Sequence, residues 1–170
     1  MTATRILGID PGSRITGYGV IDFDRDTPTL VEAGTIRTAD GEFNQRLQTI
    51  FDQVQALVAR TQPHCVAVEQ VFVSRNAGSA LKLGAARSAA ICATFAQGPA
   101  LAEYAPREIK QAVTGTGAAT KDQIQHMMRV LLRIDAPLQA DAADALAVAV
   151  CHGNSLRLDA RLAALGGRRR

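Results

Sequence analysis

One segment limits the possible folds more than any other. His64-Cys-Val-Ala-Val-Glu-Gln-Val71 is apolar at consecutive positions up to Glu69. An amphipathic surface strand alternates; a run without alternation belongs to a central strand covered on both faces. Such a strand needs helices above and below it, so the chain must be layered α/β. At 170 residues it has room for one such core.

The rest of the chain supplies those layers. Residues 5–10, 16–21 and 30–37 are β-prone runs separated by short polar turns such as Asp10-Pro-Gly-Ser13, the pattern of an antiparallel meander. Residues 44–60 repeat with helical period, placing Leu47, Ile50, Phe51, Val54, Leu57 and Val58 on one face. Asn76 is positioned to cap a small-residue helix reaching about residue 97, followed by a strand at 101–104 and a short helix from Pro106 to Val113. Thr120-Lys-Asp-Gln123 is a capping box opening a helix that turns Ile124, Met127, Met128, Leu131 and Leu132 inward. Residues 141–151 form an alanine-rich helix. The order predicts a five-stranded mixed sheet, antiparallel for three strands and parallel afterwards, flanked by helices. Residues 1–156 form the domain, and 157–170 are expected as a frayed basic tail.

Composition narrows the setting. The hydrophobic share is 47%, the charged share 21% and the net charge +3, ordinary for a soluble domain and compatible with a polyanionic partner. No apolar run reaches the roughly 18 residues of a membrane span, and residues 1–5 are too short for a signal core. Cys65, Cys92 and Cys151 are odd in number and widely spaced, which points to a reducing cytoplasm and to apolar filler roles. His64, His126 and His152 share no metal-ligand spacing and read as structural.

The chemistry lies where acids interrupt apolar runs. Asp10 ends the first strand, Glu69 ends the central one, and Asp141 and Asp144 break the run 140–150. A carboxylate beside a core is costly unless paired or bound to a cation, and no equally embedded lysine or arginine is available. If the first and fourth strands are neighbours, Asp10 and Glu69 lie side by side. Asp141 and Asp144, three apart on a helix, share a face, and the alanines around them let that helix approach the sheet. All-oxygen donors select Mg²⁺ or Mn²⁺, and several carboxylates in one pocket hold two such ions about 4 Å apart for in-line phosphoryl chemistry. Taken singly, Asp10 is also a turn former and Asp141 an N-cap; the joint pattern makes them a catalytic and metal-binding set.

Gly8-Ile-Asp-Pro-Gly-Ser-Arg14, Thr16-Gly-Tyr-Gly19, Glu69-Gln-Val-Phe72, Ala80-Leu-Lys-Leu-Gly84 and Ala140-Asp-Ala-Ala-Asp-Ala-Leu146 together resemble the RuvC Holliday-junction resolvases, in the family's order from about Ile6 to His152. The resemblance implies a ribonuclease-H-like fold, a homodimer, and Mg²⁺-dependent nicking of four-way DNA junctions that leaves 5′-phosphate and 3′-hydroxyl ends. It puts the family's four acids on Asp10, Glu69, Asp141 and Asp144, and its two DNA-contacting lysines on Lys110 and Lys121. It also implies cooperation with a RuvA–RuvB branch-migration complex.

Two further DNA contacts are expected after Glu69. Phe72 either plugs the edge of the core or stacks on an unpaired base, and the resemblance favours stacking; Arg75 is a candidate phosphate contact, with Arg14, Lys82 and Arg87 weaker ones. The glycine-rich turn 114–120 offers backbone N–H groups to a phosphate between Lys110 and Lys121. Ala77, Ala80, Leu81, Gly84, Ala85 and Ser88 form a small-residue face on the helix after Asn76 that admits a second helix, and a C2 dimer matches the twofold symmetry of a four-way junction. The competing readings are a ribonuclease-H-like enzyme acting on RNA and a junction-binding module without catalysis.

Overall fold

The computed structural model describes residues 3–38, 40–70 and 76–166. Its elements run β1 (Thr4–Asp10), β2 (Ile15–Asp24), β3 (Thr27–Arg37), α1 (Phe43–Thr61), β4 (Cys65–Glu69), α2 (Ala77–Cys92), a 3-10 turn at Phe95–Gln97, β5 (Ala100–Tyr104), α3 (Pro106–Thr114), α4 (Lys121–Leu131) and α5 (Ala140–Gly166). The strands form one sheet in the order β3-β2-β1-β4-β5. β1–β2 and β2–β3 pair antiparallel, β1–β4 and β4–β5 parallel.

The period of two along β1 divides the core. Leu7 and Ile9 pack with Val20, Val66, Val68 and the inward stripes of α1 and α2. Ile6 joins Ile21, Ala67, Ile109, Ile124, Met128 and Leu146 beneath α3, α4 and α5. Val66, Ala67 and Val68 are fully buried, as the unalternating run requires.

Glycine lets α5 lie almost on the sheet. A Cβ on Gly8 would come within 2.1 Å of the Ala145 carbonyl oxygen, and one on Gly17 within 2.0 Å of the Asp141 carbonyl oxygen. With alanines at 142, 143 and 145 buried on the helix side, backbone meets backbone with almost no side chain between.

Several local expectations are corrected. The helix after Asn76 ends at Cys92, not near residue 97: the Thr94 hydroxyl donates to the Ile91 carbonyl at 2.8 Å, competing with helical continuation. Residues 157–166, expected as a frayed tail, continue α5 to Gly166. Gly153 does not break that helix; a Cβ there would lie 2.3 Å from the Phe23 ring, so glycine is present for close packing. Arg157 and Arg161 then tie the extension to Asp26 at 3.4 and 3.0 Å. Leu131 is 37% exposed because the buried face of α4 runs through Ile124 and Met128. Cys92 is exposed and fills no core position.

Candidate active site

β1 and β4 end together. Their parallel register aligns Ile9 with Val68, so the next residues after this aligned pair are Asp10 and Glu69. They line one cleft of about 260 Å³ with Lys110 from α3, Lys121 from α4 and Asp144 from α5. The two carboxyls touch. Burial first, then the charges of Glu69 and Asp144, a hydrogen bond to Glu69 and the charge of Asp141, push Asp10 up to about 8. Burial also raises Glu69, while the hydrogen bond from Asp10 and the charges of Lys121 and Lys110 pull it back.

Asp144 enters from the first turns of α5. Its Oδ2 accepts from Lys121 Nζ at 3.2 Å. Asp141 is not a lining residue of the cleft. It stands one turn earlier, its carbonyl seated over Gly17, and Gly17 is the residue paired with Asp10; its charge reaches both Asp10 and Lys121. A helix N-terminus favours negative side chains, which suits both positions on α5. The start of that helix is held to β3 by the Thr35 hydroxyl, which donates to Gln139 Oε1 at 2.9 Å.

The lysines are set by α3 and α4. Pro106 opens α3, and Glu108 accepts from the Ala105 N–H at 2.8 Å. The expected capping box is present: Thr120 Oγ1 accepts from the Gln123 N–H at 3.3 Å, and Gln123 Oε1 from the Thr120 N–H at 2.9 Å. It fixes the backbone from which Lys121 extends. Phe72 and Arg75 lie outside the described residues. Of the weaker candidates, Arg14 pairs with Asp40 at 3.3 Å and Arg87 with Glu103 at 2.6 Å.

The donor set is entirely carboxylate oxygen, the chemistry of a hard divalent cation. Its crowding has a visible electrostatic cost in the raised Asp10 and Glu69, which such a cation relieves. Among the described residues no three acid, histidine or cysteine side chains are gathered closely enough to enclose an ion in this conformation. Asp10 leans on Glu69 and Asp144 on Lys121, so loading requires these contacts to open. The donors fit the group.

Two features escaped the sequence reading. Gly8 and Gly17 allow α5 to bring its acids to the sheet, and the absence of side chains opposite an alanine-rich helix was their only signal. Lys121 neutralises Asp144 although it belongs to no apolar run.

The family model described as crossover junction endodeoxyribonuclease RuvC matches residues 6–152. A RuvC crossover junction endodeoxyribonuclease from Chromohalobacter salexigens is 54% identical over 151 residues, 89% of this chain and 81% of that one. Another from Alkalilimnicola ehrlichii is 52% identical over 162 residues, covering 95% and 98%. Among solved structures, Thermus thermophilus RuvC in complex with Holliday junction substrate superposes with a TM-score of 0.85 at 32% identity, over 92% of this chain and 96% of that one. The yeast mitochondrial Holliday junction resolvase Ydc2, at 14% identity and a TM-score of 0.68 over 93% and 83%, shares the fold. With a family model spanning residues 6–152 and relatives more than half identical over most of its length, the chain belongs to the RuvC family of crossover junction endodeoxyribonucleases.

Proposed function

We propose that this chain resolves four-way DNA junctions by paired, symmetric nicks, with Mg²⁺ as its metal and Mn²⁺ as a substitute, leaving 5′-phosphate and 3′-hydroxyl ends. The observation that carries the reading is one cleft shared by Asp10, Glu69, Asp144, Lys110 and Lys121 in a chain of the RuvC family. The Thermus thermophilus relative, seen with Holliday junction substrate, supports the choice of DNA.

Asp10, Glu69, Asp141 and Asp144 are the metal ligands. When bound, a pair of divalent ions supplies an activated water and neutralises charge developing on the departing oxygen. For Asp10 to serve as a ligand, it must give up the proton that its raised pKa favours. Lys110 and Lys121, which line the same cleft, hold the phosphate by charge. No covalent protein intermediate is needed. Phe72 and Arg75, three and six residues after Glu69 in sequence, are proposed to meet the DNA.

Two nicks require two sites, and the outer face of α2 is suited to a second copy. Leu81 is 76% exposed, and a Cβ on Gly84 would meet none of the described residues within 4 Å. A C2 pair through this face gives one cleft per protomer. The RuvA–RuvB branch-migration complex is the proposed partner and the cytoplasm the proposed location; no described helix is long and apolar enough to cross a membrane.

The test is cleavage in Mg²⁺ of a synthetic four-way junction, a linear duplex and an RNA–DNA hybrid. Symmetric nicks in the junction alone are expected. Preferential cutting of the hybrid, or junction binding without any nicking, would overturn the reading.

A further inference from the structure

Asp144 has a partner whose chemistry conflicts with metal binding. Lys121 Nζ lies 3.2 Å from Asp144 Oδ2, and the Asp144 side chain is only 20% exposed while that of Lys121 is 75% exposed. The ammonium is drawn by Asp144 first and also by Asp10 and Asp141, which together raise its pKa; it draws Glu69 in turn. One flexible positive charge therefore stands among the acids of the cleft, paired directly with Asp144. A cation entering beside Asp144 meets that charge at contact distance, where like charges repel strongly. The α4 backbone is fixed by the Thr120–Gln123 box, but the exposed lysine stem has room to swing.

On the metal-binding reading above, we propose that Lys121 is a resident counter-ion: it holds the Asp144 side of the cation site in the metal-free protein and is displaced toward the DNA phosphate when metal loads. Lysine and metal then compete for one carboxylate. A phosphate that draws Lys121 away removes the competitor, so DNA and metal each raise the affinity for the other, by the same factor in both directions. The pair also keeps Asp144 neutralised until substrate is present.

Calorimetric titration of DNA-free protein with Mn²⁺ tests this, using wild type, Lys121→Met, Lys121→Gln and Lys121→Arg, each checked for wild-type circular dichroism. Removing the charge should tighten Mn²⁺ binding by about three- to tenfold. Lys121→Arg should stay near wild type, a distinction that a merely structural role would not produce. Junction cleavage by Lys121→Met should fall even as its metal affinity rises. Equal or weaker Mn²⁺ binding by both neutral variants would overturn the counter-ion role while leaving the metal site standing. Folded proteins that all fail to bind Mn²⁺ would instead remove the metal reading, and this inference with it.

Discussion

The carbonyl oxygen of Asp141 lies 2.0 Å from the point a Cβ on Gly17 would occupy, and Gly17 is the residue facing Asp10 across β1 and β2. Two distant acids are thus brought together by a side chain that is absent. Gly17→Ala should force α5 away from the sheet, costing about 1–3 kcal/mol of stability and depressing cleavage further than the loss of folded protein explains. Urea unfolding midpoints and nicking rates, measured on the same samples, check this.

The raised Asp10 gives the metal-free protein a definite pH response. Its carboxyl keeps a proton up to about 8 in the fold, whereas an unfolded aspartate releases it near 4. Between those values the folded state binds more protons than the unfolded state, so this group's contribution to stability falls as pH rises. Thermal unfolding with chelator present should show that decline between pH 5 and pH 8, Asp10→Asn should flatten it, and Mg²⁺ should restore more stability at pH 8 than at pH 5.

His152 contributes with the opposite sign. Burial holds its pKa below the ordinary histidine value, with Nδ1 2.8 Å from the Tyr104 hydroxyl and Nε2 buried with no hydrogen-bond partner among the described residues. The neutral ring's stabilisation is complete above about 6.5, the unfolded pKa, and is lost as pH falls through the lower folded value. His152→Gln should therefore lose less stability than wild type between pH 7 and pH 5 in denaturant titrations.

Leu81→Glu should convert the proposed dimer to monomer with little change in fold, because the side chain is 76% exposed and a charge there is unfavourable only when covered. Sedimentation should report the halved mass, and junction cleavage should lose its paired character. A variant that remains dimeric would remove α2 from the interface.

The layered sheet was legible because its signals are local. The unalternating strand before Glu69, the stripe through Ile50, Val54 and Leu57, and the Thr120 capping box each need only neighbouring residues. The acids were legible because a carboxylate inside an apolar run needs compensation wherever it lies. What stayed hidden depends on partners far along the chain. Lys121 gives no sign in sequence of reaching Asp144, 23 residues on. Gly153 gives no sign in sequence of packing on Phe23, and the helix expected over residues 141–151 runs on to Gly166. Leu131 fits the helical period of α4 but falls at the margin of its buried stripe.

Whether the four acids gather a divalent metal for cutting is tested most directly by comparing wild type and Asp10→Asn on one four-way junction in Mg²⁺, with binding and nicking measured on the same samples. Junction affinity should stay close to wild type while nicking falls by at least about a hundredfold. Nicking that survives the substitution, or binding and nicking lost together, would contradict it.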